Sequence, residues 1–282
     1  MAYPSYSNTD INSELFANLV TAAQFAAYEN SVARQLVTVF DAPMNTGKNL
    51  QVPIWAGISA SIIADESAAT ALTSNTSSAI ISLAEHVTYH KITDMLRDSA
   101  YQDVMGMLGD QSGRAIAESM DKQVFAEFAN LSADLGGTGF ELTVQTLLQA
   151  AAQLRTAKLT GPFFAVVHPG AAYNLKKALT ATTAYTANTN AGNRVLDGFY
   201  VGSVAGIQVY ESALVATSGN DATCAVFAST AIGHAMRGSL EMETQRQAKD
   251  RATDLVVKAV AGAKVLQPTH GVIITADVRT SN

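Results

Sequence analysis

The stretch that decides the fold is residues 99–131, SAYQDVMGMLGDQSGRAIAESMDKQVFAEFANL. Its apolar side chains recur mostly every three or four positions, which places them on one face of an α-helix. Ser99 and Gln102 fit a capping box, in which each side chain satisfies a backbone N–H at a helix start. The pattern predicts one long helix of roughly 45 Å, at about 1.5 Å per residue, that ends before Gly136 and Gly137.

Three glycines, Gly106, Gly109 and Gly113, lie inside this predicted helix. Each costs about 1 kcal/mol relative to alanine in a helix interior. A bend or a close contact with another element would account for them, and a break into two helices is the alternative.

Upstream of the helix, two segments show the alternation of a β-strand. Residues 49–55 alternate apolar residues with polar or constrained ones, and Pro53 cannot donate to a ladder, so this strand is predicted at a sheet edge. Residues 80–92 alternate as well, with Val87 on one face and His86 on the other.

The segment between these strands, residues 57–79, has no aromatic residue and no basic one, and its only charges are Asp65 and Glu66. Connections of this length are usually functional or disordered. Small polar residues give the segment no core of its own, so we expect it to become ordered against a neighbouring molecule.

The rest of the chain mixes both kinds of element, which predicts an α+β protein. Helices are predicted at residues 10–39, 143–158 and 171–179, although the end of the first is less certain. Strands are predicted at residues 163–167, 198–201, 207–210, 222–228, 239–244, 255–265 and 272–275, and residues 231–236 fit either state. Between two of these strands, residues 245–251 (QRQAKDR) form the densest charge cluster of the chain.

Composition excludes several classes of protein. Of 282 residues, 48% are hydrophobic, so the chain is not disordered as a whole. One cysteine, Cys224, cannot form a disulfide within the chain, and a net charge of −6 argues against a strongly basic nucleic-acid-binding domain. Neither a membrane span nor a signal peptide is predicted.

The surface is unusually poor in charge. Charged residues make up 15% of the chain, against about 25% in ordinary soluble proteins, while Ala, Ser and Thr together number 96. The deficit is uneven, because residues 1–130 hold 6 basic and 14 acidic side chains and the remainder holds 12 and 10. A surface of this kind suggests a subunit that is covered by copies of itself.

No arrangement of residues predicts catalysis, a cofactor or a metal site. On a strand, His86 and His90 share a face about 13 Å apart, which is too far for one metal ion. Cys224, in an apolar strand, is interpreted as a small buried hydrophobe. The basic residues near 246–251 could contact phosphate, but interleaved acids favour a solvated turn or a salt-bridged contact between copies.

The order of these segments resembles the major capsid proteins of tailed bacteriophages, which have the Hong Kong 97-type fold. Residues 47–55 (GKNLQVPIW) look like the ascending strand of that family's extended loop, and residues 163–170 (FFAVVHPG) like the start of its axial domain. Residues 202–212 (GSVAGIQVYES) look like a strand and turn of the axial domain, and residues 262–272 (GAKVLQPTHGV) like the strand and turn that end many such chains.

The resemblance implies an N-terminal arm, an extended β-hairpin loop, a long spine helix, and peripheral and axial domains. The implied boundaries are 1–45 for the arm, 46–92 for the extended loop, 93–162 for the peripheral domain with its spine helix, 163–238 for the axial domain, and 239–282 for the peripheral strands and loop with the C-terminal return. Six residues are expected at contacts between subunits: Asp65, Glu66, Arg246, Lys249, Asp250 and Arg251.

The resemblance also implies a function. Copies would form hexamers and pentamers that close into an icosahedral shell around double-stranded DNA, in a virion assembled in the host cytoplasm, with no membrane. A separate scaffolding protein and a portal are the expected partners, with a decoration protein as an optional third. Some family members cross-link subunits by a Lys–Asn isopeptide bond that a Glu promotes. Here residues 57–84 lack Lys, residues 245–254 lack Asn and residues 255–265 lack Glu, so no cross-link is expected.

Three alternatives stay open at this point. An encapsulin-like compartment would share the fold and hold a protein cargo. A soluble α+β enzyme would need a polar cluster in a pocket. A surface-layer or adhesive protein is disfavoured by the N-terminal sequence.

Overall fold

The structure is a computed structural model of the chain. It describes residues 31–44, 47–55, 57, 60, 62, 76–99, 104–181, 203–204 and 206–279. Most of the predicted first helix, the predicted strand at residues 198–201, and Gln102, Asp65 and Glu66 lie outside the described residues.

The described residues form five helices and thirteen strands. The helices are α1 (Ala33–Leu36), α2 (Asp94–Ser99), α3 (Val104–Ala126), α4 (Val144–Thr156) and α5 (Pro169–Ala181), with 3-10 turns at Glu127–Asn130 and Pro268–His270. The first strands are β1 (Thr38–Asp41), β2 (Asn49–Trp55), β3 (Thr76–Ser82), β4 (Ala84–Thr93), β5 (Ala133–Gly136) and β6 (Phe163–Val167). The remaining strands are β7 (Ser203–Val204), β8 (Ile207–Glu211), β9 (Thr217–Ser218), β10 (Asp221–Ala228), β11 (Ile232–Gln247), β12 (Ala252–Val265) and β13 (Gly271–Asp277).

These strands form three sheets. The first has the order β1-β11-β12-β4, and the long antiparallel pair β11–β12 is its centre. The second has the order β5-β13-β10-β6-β8-β7, with β9 paired to β10. The third is the antiparallel hairpin β2–β3. The mixture of parallel and antiparallel pairs with helices confirms the predicted α+β class.

Helix α3 lies across the first sheet. Its Ile116, Ala117 and Met120 pack with Leu255 and Val257 of β12 in one apolar cluster. Gly109 and Gly113 are also buried in this helix. Because glycine has no side chain, the helix can approach its neighbours closely there, which supports the close-contact interpretation of these glycines.

The predicted start of the long helix is wrong. Ser99 is the last residue of α2, inside a helical segment that begins at Asp94, and Gln102 of the predicted capping box lies outside the described residues. Helical structure begins at Asp94, before the predicted position. There the Thr93 hydroxyl accepts a hydrogen bond from the Leu96 N–H at 3.3 Å. Thr93 thereby acts as an N-cap, and because it is also the last residue of β4, the alternating pattern of the strand conceals that role in the sequence.

The larger core lies around the second sheet. Phe128 is fully buried between Phe125 and Phe227, with ring centroids 5.4 Å apart in both pairs. Thr143 caps α4 by accepting a hydrogen bond from the Thr146 N–H, which confirms the predicted start of that helix. The strand β6 has the predicted bounds.

The predicted strand at residues 80–92 is two strands. β3 pairs with β2, whereas β4 pairs with β12, and the change of partner occurs at Leu83. The Leu83 side chain is buried, and its N–H donates to the carbonyl oxygen of Lys48 at 2.8 Å. Alternation continued through this point in the sequence, so periodicity could not reveal the change.

Candidate inter-subunit surface

The β2–β3 hairpin has one face against the body of the subunit and one face outward. Seven residue pairs join its strands, from Asn49 opposite Ser82 to Trp55 opposite Thr76. Strand alternation turns Leu50 and Val52 toward the body, where they pack with the buried Ile81. Pro53 lies in a strand with a free edge in this two-stranded sheet, which confirms the predicted edge position.

The root of the hairpin is packed tightly against the first sheet. A Cβ atom at Gly262 of β12 would lie 2.4 Å from the carbonyl oxygen of Ser82, so only glycine fits there. The Arg237 guanidinium also donates to the carbonyl oxygen of Gly47. The root is therefore fixed, and the outward face is free to contact another molecule.

Large apolar side chains stand on that outward face. Trp55 is 69% exposed and Ile80 is 51% exposed, and the pairing of β2 with β3 places both on the same side. The two side chains stand four positions apart along the hairpin, and large exposed apolar groups on one face are common at protein–protein contacts. The sequence predicted the two strands of the hairpin, but no pattern in it predicted that Trp55 is exposed on the outward face.

The charged turn between β11 and β12 is tied to the start of α2. Arg246 makes two hydrogen bonds to Asp94, of 2.7 Å and 2.6 Å, and Lys91 forms an ion pair with Asp250. The Asp94 N–H donates to the carbonyl oxygen of Arg251, which adopts a left-handed φ of 48°. Paired carboxylates raise the pKa of Arg246 and of Lys91.

Four of the six predicted contact residues are described by the structure, because Asp65 and Glu66 lie outside the described residues. Arg246, Lys249, Asp250 and Arg251 lie together at one end of the first sheet, and all four are exposed. Arg246 and Asp250 have partners within the chain, whereas Lys249 and Arg251 form no ion pair with the described residues. Their contact with another subunit stays a prediction.

A second exposed apolar strip lies on the face of the first sheet that is turned away from α3. Val87 is 51% exposed and Tyr89 is 57% exposed. The Tyr89 hydroxyl donates to Asp254 at 3.0 Å, and this bond raises the pKa of Tyr89. A depression of about 360 Å³ beside it is lined by Glu243, Val256 and their neighbours. Alternation predicted correctly which side chains of β4 share this face, and the structure adds that Val87 and Tyr89 are exposed on it.

The opposite face of β4 contacts α3 through histidines. The Ser112 hydroxyl donates to the Leu108 carbonyl oxygen at 2.7 Å, so Nε2 of His90, 2.9 Å away, donates to Ser112. His86 bonds to Ser119 at 2.7 Å and to Gln123 at 3.2 Å. Both rings therefore hold the helix to the sheet. Among the described residues, no three side chains of His, Cys, Asp or Glu are grouped as metal ligands would be.

Cys224 is fully buried in β10, as the apolar sequence around it predicts. Burial raises the pKa of its thiol to about 11. The thiolate that nucleophilic chemistry needs is therefore disfavoured at neutral pH.

The start of α1 is fastened to α3. We define the arm junction as Ser31, Val32, Ala33 and Asp121. The Asp121 carboxylate accepts hydrogen bonds from the Ser31 hydroxyl at 2.8 Å, the Val32 N–H at 2.9 Å and the Ala33 N–H at 3.4 Å. Burial raises the pKa of Asp121, and these bonds oppose the change. No local pattern predicts this contact, since its partners are about 90 residues apart in the chain.

The chain is similar to phage capsid proteins, both by a family model and by the folds of solved structures. The model of a family described as phage capsid protein matches residues 77–274. The capsid of cyanophage P-SCSP1u is similar, with a TM-score of 0.64 and 21% identity over 85% of this chain and 86% of that one. The capsid of Ralstonia phage GP4 gives a TM-score of 0.70 and 9% identity over 86% and 88%.

A virus-like particle from Pyrococcus furiosus is also similar, with a TM-score of 0.59 and 13% identity over 92% of this chain and 98% of that one. No protein of curated function matches the sequence. In the part of the chain that the structure describes, no helix combines the length and apolar character needed to cross a membrane.

Proposed function

Since this chain belongs to the phage capsid protein family and has the Hong Kong 97-type fold, we propose that it assembles through hexamers and pentamers into an icosahedral shell around double-stranded DNA. The role is structural and non-catalytic, in a virion that is assembled in the host cytoplasm. The observation that carries the proposal is the β2–β3 hairpin, whose root is packed and whose outward face exposes the apolar side chains of Trp55 and Ile80.

The buried surface of each contact and the number of contacts for each subunit would together stabilise such a shell. A hairpin laid on a neighbouring subunit buries surface without needing a core of its own. Each such contact is modest, but in a closed shell every subunit makes several, and contacts that form together reinforce one another. The shortage of charge on the surface favours the same outcome, because few charged groups lose their hydration at the interfaces.

Other proteins would act with the shell, and its subunits would not be linked by covalent bonds. A separate scaffolding protein and a portal would act with the shell, with a decoration protein as an optional third partner. Subunits would not be cross-linked by isopeptide bonds, because the Lys, Asn and Glu of that reaction are missing from the corresponding segments. Denaturing gel electrophoresis of purified shells tests this statement: a single band near 29.6 kDa is expected, and a ladder of multimers would contradict it.

A protein compartment is the second candidate. A virus-like particle from Pyrococcus furiosus has a similar fold over 98% of that chain, so the fold by itself does not separate this candidate from the first. Both candidates predict closed shells, so the content of the particles separates them. Nuclease-resistant double-stranded DNA in particles from the native source supports the capsid, and a protein cargo without DNA supports the compartment.

Electron microscopy of two matched variants tests assembly itself. Trp55→Asp places a charge on the outward face of the hairpin, whereas Trp55→Phe keeps an apolar ring there. We expect closed shells or hexameric sheets from the unaltered chain and from Trp55→Phe, and free subunits with unchanged circular dichroism from Trp55→Asp. Folded subunits that never assemble, even from the unaltered chain with a scaffold supplied, would overturn the proposal.

A further inference from the structure

A small cavity lies where α1, α3 and β11 meet, beside the arm junction. Its volume is about 20 Å³. The polar side chains in its wall are those of Ser31, Arg34, Asp121 and His234, and Met120 and Met236 are among the apolar ones. The cavity therefore adjoins the first sheet, the long helix and the residues that lead to the N-terminal arm.

His234 supplies a buried polar atom that needs a partner. The residue is 2% exposed, and its Nδ1 makes no hydrogen bond with any residue that the structure describes. Buried side-chain nitrogens and oxygens are almost always hydrogen-bonded, to protein or to ordered water. A neutral imidazole has one donor and one acceptor nitrogen, so either role is open to Nδ1.

The size and the charges of the cavity restrict its occupant. An internal water needs about 10–15 Å³ and two to four polar partners, and the cavity exceeds that volume by less than one further water. The Arg34 guanidinium disfavours a cation there, and the Asp121 carboxylate disfavours an anion. A single neutral molecule with both donor and acceptor capacity satisfies every one of these conditions.

We propose that this cavity is a binding site for one ordered water molecule, which hydrogen-bonds to Nδ1 of His234 and to a polar group of the arm junction. The water thereby links β11 to the start of α1. It acts as a positioning element for the point at which the arm joins the subunit, in addition to the direct bonds of Asp121. This inference does not depend on shell assembly, since the site lies within one subunit.

A density map of the full-length chain, as subunit or as shell, at a resolution that shows waters tests the proposal directly. We expect one peak in the cavity, within about 2.7–3.2 Å of His234 Nδ1 and of a second polar atom. An empty cavity, an ion at this position, or a direct bond from Nδ1 to the protein would each overturn the proposal. Because this map is of the unaltered chain, it tests for the water molecule even if a variant fails to fold.

Two variants test the link to the arm. His234→Leu removes the partner of the water, and we expect the peak to disappear and hydrogen exchange at residues 31–36 to become several-fold faster. Thr88→Val is the matched control, because Thr88 Oγ1 is another buried atom of the first sheet without a partner among the described residues. It should change neither the peak nor the exchange rate. A peak or an exchange rate that is unchanged in His234→Leu would contradict the proposal.

Discussion

The Asp121 carboxylate in α3 accepts a hydrogen bond of 2.8 Å from the Ser31 hydroxyl, and the pair is buried. The same carboxylate accepts the backbone N–H groups of Val32 and Ala33, which are orphan donors at the start of α1. A side chain of the long helix therefore caps a helical turn that is remote in sequence. This contact fastens the start of α1 to α3.

Asp121→Asn tests this cap. The amide keeps the shape of the carboxylate but turns an NH2 group toward one set of donors, so we expect a loss of about 1–3 kcal/mol in the free energy of unfolding. Ser31→Ala removes only one donor and should cost less. Urea denaturation of unassembled subunits measures both, and equal stability of Asp121→Asn and the unaltered chain would show that the cap is not important.

His234 makes stability depend on pH. Burial, with Arg34 and His86 nearby, lowers the pKa of His234 from 6.5 to about 4, so the folded chain favours the neutral ring. In the unfolded chain the imidazole takes up a proton near pH 6.5, whereas in the folded chain it does so only near pH 4. The free energy of unfolding is therefore unaffected by His234 above pH 6.5, and it falls by about 3 kcal/mol in total as the pH decreases toward 4. Unfolding free energies measured between pH 7 and pH 4 should show this decline.

His234→Asn is the variant that isolates this residue. It should lose much of the decline, while a smaller slope remains because burial also lowers the pKa of His168 and of His270. Identical slopes for the variant and the unaltered chain would assign the pH dependence to other groups.

Gly262→Ala tests the root of the hairpin. The added methyl group would overlap the carbonyl oxygen of Ser82, which belongs to the backbone and cannot rotate away. We expect a loss of roughly 1–3 kcal/mol in unfolding free energy and fewer shells. Gly57→Ala is the control, because nothing lies within 4 Å of its added Cβ, and its effect should stay within about 0.5 kcal/mol. Similar effects of the two substitutions would argue against tight packing at the root.

Lys249→Glu tests the charged turn as a contact between subunits. Lys249 is exposed and forms no ion pair with the described residues, so the variant should unfold at the same urea concentration as the unaltered chain. If the turn contacts a neighbour, as we expect, shell yield falls and becomes less sensitive to salt. Lys249→Arg keeps the charge and should assemble normally. Normal assembly of Lys249→Glu would remove this residue from the interface.

Local patterns in the sequence were sufficient for much of the fold. The three- and four-residue spacing of Ile116, Met120 and Val124 identified the buried face of α3, and the alternation in β4 separated the exposed Val87 and Tyr89 from His86 and His90. The order of the elements was sufficient to identify the fold family. These properties arise from contacts between near neighbours in the chain, so the sequence displays them directly.

Other features depend on residues that are far apart in the chain. The strand run that changes partner at Leu83 does so because Leu83 bonds to Lys48 and because Ser82 packs against Gly262. Strand β5 forms because β13 pairs with it. The arm junction forms because Asp121 lies opposite Ser31. No periodicity records such pairings, because each depends on where two distant segments meet after folding. The sequence alone therefore determined where the longer helices and most of the strands lie, and to which family their order belongs. Tertiary contacts decided where strands change partner, where the helix after β4 begins, how the hairpin is held, and how the start of α1 is fastened to α3.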